Sequence, residues 1–154
     1  HNQNLKIFST DIKPIDKSNS LISWQQRWDN SEHGRHLYNI APQINKNPWF
    51  YDLQLPRSII SMVNRLKINH TRCNDHIFKI NIIDSNLCTC GEVQTVNHLL
   101  FCCQNIDRGL RKDLLDELVN QGISSFEITH ILKTENAVIY KAIHKFFTQA
   151  NINI

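Results

Sequence analysis

Apolar residues recur at helical spacing through most of this chain, with proline or glycine breaking the runs. Leu21, Trp24 and Trp28 share one stripe, with Gln25, Gln26 and Arg27 between them. Ser20 is placed to cap that helix, and Gly34 lies beyond its end, where a helix stop belongs. Residues 37–55 hold Pro42, Pro48 and the cluster Trp49, Phe50 and Tyr51. Proline removes an N–H and clashes with the preceding turn, so this stretch predicts a connector whose aromatics pack back on the core. Pro56 suits a first helical turn. Ile59, Ile60, Val63 and Leu66 then predict a helix out to about Ile68, with Arg65 and Lys67 pointing away from the apolar stripe.

Residues 73–83 mix Ile77, Phe78, Ile80, Ile82 and Ile83 with polar side chains, a pattern of a short helix leading into an extended piece. Further on, Leu110, Leu114, Leu115, Leu118 and Val119 form one amphipathic stripe, with Arg111, Lys112, Asp113, Asp116 and Glu117 outside it and Gly122 at its end. Ser124 or Ser125 is placed to cap a short helix through Ile128, Ile131 and Leu132, and a last helix carries Val138, Ile139, Ala142, Ile143, Phe146 and Phe147. Residues 1–20 are polar and contain Pro14, so they read as an extended arm. No internal repeat is present. The fold class is therefore mostly α: an arm (1–20), a helical basic segment (21–86), a short stapled turn (87–104) and C-terminal helices (105–154).

Composition narrows the class. The 154 residues are 41% hydrophobic and 8% aromatic, enough to bury a core. No apolar run approaches the ~18 residues of a membrane span, and no signal peptide is visible. The chain opens with His1 and not Met, which predicts a piece of something longer. Five cysteines without a secretory signal argue against a disulfide framework and for a reducing compartment, cytoplasm or nucleus. The net charge is +3. Between Pro56 and Lys79, five basic residues (Arg57, Arg65, Lys67, Arg72 and Lys79) stand against Asp75 alone, so that segment carries +4 and the rest −1. A local basic face points to a phosphate backbone as partner, and equally to an ordinary solvated helix face.

The strongest chemical signal is LCTCGEVQTVNHLLFCC, residues 87–103. Cys88, Cys90, His98 and Cys103 form a four-ligand set for tetrahedral zinc. Thr89 lets both thiolates reach one ion, and Gly91 relieves the turn that brings them together. A short helix from His98 then presents the imidazole and Cys103 about one and a half turns apart. Cys102 competes with Cys103 as fourth ligand; the four residues between His98 and Cys103 match finger spacing and favour Cys103. Three thiolates and an imidazole fill all four positions, which makes the site structural. Structural zinc contributes ~10–16 kcal/mol, against a domain stability of ~5–15 kcal/mol, so the local fold depends on it. His70, Cys73 and His76 have a suggestive spacing but fall around a helix axis, and His33 and His36 lie in a polar loop; both sets read as packing or surface residues. No paired carboxylates stand beside a nucleophile, and no Gly-rich phosphate loop occurs.

The order WQQRW (24–28), a loop with Gly34, Arg35 and Tyr38, RLKINHTRC (65–73) and then the cysteine segment resembles the C-terminal region of the polyprotein of jockey-like non-LTR retrotransposons. The resemblance covers about residues 20–150. It implies that Cys88, Cys90, His98 and Cys103 are zinc ligands, and that Arg65, Leu66, His70, Thr71 and Arg72 match the family's preceding motif. Asn69 stands where that family more often has glycine. In such polyproteins an endonuclease, a reverse transcriptase and often an RNase H domain come first. Their paired-aspartate and four-carboxylate sites are absent from these residues, and residues 1–20 would be the trailing end of the RNase H-like part. The implied function is a non-catalytic segment binding template RNA or target DNA through Arg57, Arg65, Lys67, His70, Thr71, Arg72 and Lys79, beside the polymerase domains of the same polyprotein. The alternative is a structural tail that docks on the polymerase or dimerises through the helices at 110–119 and 138–147.

Overall fold

A computed structural model describes the backbone of residues 9–154 and the side chains from residue 17 onward. The described chain is helical: α1 (Ser9–Asn30), α2 (Arg35–Ile40), α3 (Arg57–Lys67), α4 (Asn74–Lys79), a π-helical turn (His98–Cys102), α5 (Arg108–Asn120), α6 (Ile128–Leu132) and α7 (Ala137–Gln149). The only strand-like pairing among the described residues is a single antiparallel bridge between Leu87 and Val93. No described helix is long and apolar enough to cross a membrane.

Helix α7 is the centre of the packing. Its Ile139, Tyr140, Ile143, Phe146 and Phe147 are buried, and it lies against both α5 and α3, while α6 packs on α2 and α3. Val63, Leu100, Leu118, Ile131 and Leu132 close the core around it with essentially no exposure. Each such side chain contributes about 1.5–3 kcal/mol by leaving water. Tyr140 is fully enclosed and donates its hydroxyl to the carbonyl of Leu132 at 3.0 Å, so its polar end is satisfied. Burial accordingly holds its ionisation well above the usual phenol range. Trp49 meets the Tyr140 ring edge-on at 5.4 Å and packs back on the core as expected, whereas Tyr51 of the same cluster is 64% exposed and does not.

Four of the helix ends follow one rule. After α5, Ile123 donates to the carbonyl of Leu118 and Gly122, at φ 79, donates to that of Val119. This is the paired closure that needs a left-handed residue just past the helix. Three further helices end the same way with asparagine in that position: Asn69 (φ 54) after α3, Asn81 (φ 57) after α4 and Asn151 (φ 54) after α7. Asparagine tolerates the left-handed region better than other side chains with a Cβ. Position 69 thus holds a left-handed backbone conformation that glycine also adopts without strain.

Several expectations are corrected. Residues 9–20 are helical and not an extended arm, and residues 1–8 lie outside the described residues; α1 begins upstream of Ser20, which sits within the helix and not at its start. Trp24 is on the expected stripe yet half exposed, because little packs on that side of α1. His36 belongs to α2 and not to a loop. Helix α4 leads into turns and bends, not an extended piece. Glu127 caps α6 by accepting from the His130 N–H, in place of Ser124 or Ser125. Lys67 is buried, where the sequence had it pointing outward. Its ammonium lies 3.1 Å from Glu135 and 4.5 Å from the centre of the Trp49 ring. Burial pushes its pKa down and the Glu135 hydrogen bond resists.

We expect Asn69→Ala to destabilise the fold by up to about 1 kcal/mol, because alanine lacks the short polar side chain that eases asparagine into the left-handed region, and to lower Tm by a few degrees. Asn69→Gly should match or exceed the parent in thermal unfolding. Equal Tm for the alanine and glycine variants would remove the left-handed constraint from the account.

Candidate metal centre

The metal loop is a small hairpin built on short contacts. Leu87 bridges to Val93, the Gln94 N–H donates to the Asn86 carbonyl at 2.9 Å, and the Cys88 N–H donates to Glu92 at 2.7 Å. Inside it, the Gly91 N–H returns to the Cys88 carbonyl at 2.9 Å. Gly91 sits at φ 93, a backbone conformation that a side chain would strain, so the turn that brings Cys88 and Cys90 to one side needs glycine here.

The second pair of donors comes from the π-helical turn. Thr95 starts it by accepting the His98 N–H on its hydroxyl at 3.1 Å. The turn then widens: the Cys103 N–H bonds to the His98 carbonyl, five residues back, at 2.7 Å. In an α-helix residues five apart diverge around the axis; the wider turn brings them toward one face. The expected short helix with about one and a half turns between the ligands is thus a π turn, and the two donors lie closer to one face than an α-helix would place them. It also separates Cys103 from Cys102, since Cys103 is buried at the cluster while Cys102 faces solvent.

The Cys88 and Cys103 sulfurs are 3.7 Å apart, Cys90 and Cys103 3.9 Å, and the Cys90 sulfur lies 3.1 Å from His98 Nε2. All four donor atoms fall within 4.8 Å of one another. A disulfide needs ~2.05 Å, so these are free thiols. A tetrahedral ion with metal–sulfur bonds of about 2.3 Å holds its sulfurs about 3.8 Å apart, which is the separation observed. The donor set can therefore hold a metal ion. Among the described residues it is the one group of three or more such side chains drawn together in this way. His70 and His76 do meet, ring on ring at 4.6 Å, but Cys73 is buried and joins no such group.

Comparison with family models, curated proteins and solved structures finds no match. The case for the site rests on its own chemistry.

That chemistry favours a cation. Burial opposes ionisation of Cys88, but hydrogen bonds from the Cys90 backbone and the His98 and Gln94 side chains outweigh it and draw its thiol down to about 6. Cys103 moves the opposite way, raised by burial and by the neighbouring Cys88 and Cys90 sulfurs. One thiolate forms readily and the next is resisted, so full deprotonation requires a compensating positive charge. Arg111, which the sequence pattern left on the outer side of its helix, reaches back instead. Its guanidinium donates to the Leu100 carbonyl at 3.2 Å and the Cys103 carbonyl at 2.5 Å, closing the end of the π turn. Its helix register gave no signal of this.

The surface residues named from the sequence divide. Arg57, Arg65, His70, Arg72 and Lys79 are exposed. Lys67 and Thr71 are not, each being only 3% exposed, so neither is available to a phosphate backbone. Lys79 is paired with Asp75 at 2.7 Å, and Arg65 donates to the Ile154 backbone oxygen at 2.5 Å.

Elemental analysis of the purified chain should give one metal ion per molecule. His98→Ala and Cys103→Ser should lose it, and Cys102→Ser should keep it. Arg111→Ala should weaken retention against a chelator by about tenfold, as removal of supporting contacts does at metal sites. Metal loss in Cys102→Ser with retention in Cys103→Ser would reverse the ligand assignment.

Proposed function

We propose that this chain is a non-catalytic, nucleic-acid-binding C-terminal segment of a retrotransposon reverse transcriptase polyprotein, ordered by structural zinc. Zinc suits the donors because three thiolates and an imidazole are its preferred ligands in closed tetrahedral sites. Phosphates of template RNA or target DNA would be the partner of the basic segment, with chemistry left to the polymerase domains upstream.

The observation that carries the reading is the tie between metal loop and basic segment. The Asn74 N–H donates to Gln94 Oε1 at 2.9 Å, the Asn74 side chain donates to the Leu87 carbonyl at 2.6 Å, and the Asp75 N–H donates to the Gln94 carbonyl at 3.2 Å. Ordering the loop therefore orders the start of α4, and with it the flanking His70, Arg72 and Lys79. Arg57 and Arg72 make no ion pair or hydrogen bond among the described residues, which leaves both free for phosphate.

A second reading, a tail that docks on the polymerase or on another copy, draws on apolar exposure. Phe78, Ile80, Ile82, Leu87 and Val93 flank the metal loop at 40–67% exposure, and Val119 and Val138 are exposed on α5 and α7.

Binding to RNA or DNA should weaken steeply with salt. Two to four phosphate contacts give a slope of about −1.5 to −3.5 in log affinity against log salt. Replacing Arg57 and Arg72 together with alanine should flatten it by roughly one unit per arginine, while Lys112→Ala, on the far side of α5, should leave it alone. An unchanged slope and affinity in the double variant would turn the assignment toward the docking tail.

A further inference from the structure

The three tryptophans of the chain line a single cleft of about 210 Å³. Two of its walls are fixed. The Trp28 indole N–H donates to the Ala41 carbonyl at 3.2 Å, and the Trp49 N–H donates to Asn64 Oδ1 at 2.8 Å. Helix α1 is clamped over the cleft by Gln25, whose amide donates to the Pro42 carbonyl at 2.9 Å and accepts from the Ile44 N–H at 2.7 Å. Trp24 differs from the other two: it is 51% exposed and its N–H has no partner among the described residues. An indole face is thus presented to solvent beside a preformed aromatic slot.

Lys67 indicates what fits there. It lines the cleft at 3% exposure. An ammonium has three donors. One is directed to Glu135, and the Trp49 face takes up another side of the charge. No further acceptor among the described residues meets it, and a buried donor without an acceptor is costly. Glu135 lines the same cleft and offsets this ammonium, so the cleft presents a neutral pair to a ligand and not a net charge of either sign. A flat, uncharged aromatic ring with an exocyclic carbonyl meets both demands: its face stacks on indole and its oxygen accepts from Lys67. Asn45 and Asn47 at the same cleft add side-chain amides suited to a base edge.

We infer that this cleft takes an unpaired nucleobase of a single strand, stacked on Trp24 with a base carbonyl toward Lys67. The inference rests on the nucleic-acid reading above and deepens it. It implies preference for single strands, because a base within a duplex has both faces stacked and its pairing edge occupied.

The test uses the whole chain with three probes: a short oligouridylate, an abasic strand of equal length and phosphate number, and a duplex. Oligouridylate should quench tryptophan emission and bind about tenfold more tightly than the abasic strand, in keeping with one stacked base. The duplex should not quench. Trp24→Ala should abolish the quenching and bring the two strands to equal affinity, and Trp24→Phe should restore most of the difference, which a misfolded protein would not. Equal affinity of the parent chain for oligouridylate and abasic strand, without quenching, overturns the inference and leaves the phosphate-binding reading standing. No binding of either strand at low salt overturns both. Quenching by a proline-rich peptide that oligouridylate does not displace would also overturn it.

Discussion

Three sulfurs and an imidazole nitrogen lie within 4.8 Å of one another, a donor set that could hold a metal ion. Two of the thiols are pulled in opposite directions, Cys88 toward the thiolate and Cys103 away from it, because each added negative charge makes the next more costly. A bound cation inverts that balance and turns mutual repulsion into a common attraction. The sequence spends a left-handed glycine, a threonine cap and a π turn on presenting these four atoms to one point. Such local features are costly without a ligand and reasonable with one.

The rest of the fold is coupled to this point through hydrogen bonds more than through the hydrophobic core. Gln94 and Leu87 tie the loop to α4. Asn97, just before His98, accepts from the Ile128 N–H at 2.9 Å and donates to Glu127 at 3.1 Å, which fixes the start of α6. Arg111 ties the end of the π turn to α5. Three helices thus take their positions partly from one short loop. Leu99 and Leu100 between the ligands are buried in the main core, so metal loop and core cannot move independently. Disorder of this loop would be felt at α4, α5 and α6 together, while α7, packed on both α3 and α5, has the most support of its own.

What the sequence disclosed follows from how each feature is encoded. The donors were legible because their residue types and spacing have few other uses, and the helices of the second half because their apolar stripes are regular. Lys67 was misread although it lies four residues after Val63, on the same side of α3; its charge suggested solvent, while the phase of the helix already placed it inward. Its partners, Trp49 and Glu135, are 18 residues before and 68 after it, so no local pattern could reveal them. The asparagine caps after α3, α4 and α7 were missed because asparagine is common in loops of every kind, whereas Gly122 stood out among four glycines. The π turn was invisible for a different reason: it depends on the ligands converging, which is a tertiary demand and not a local propensity.

The surface charge bears on how strongly a polyanion could be held. The segment from Pro56 to Lys79 has five basic residues, but the fold engages three of them: Lys67 with Glu135, Lys79 with Asp75, and Arg65 with the Ile154 backbone. The exposed Lys79 pair is weak and can exchange for phosphate, since surface pairs contribute about 0–1 kcal/mol. The buried Lys67 pair cannot exchange without opening the core. Arg57 and Arg72 then carry most of the long-range attraction, and two to four charges support only modest, salt-sensitive binding. A useful affinity for a single strand would have to come from contacts that salt does not screen. Stacking on an exposed ring is a contact of that kind, and Trp24 offers one beside a preformed cleft, so the tryptophan cleft would supply what the thin basic segment lacks.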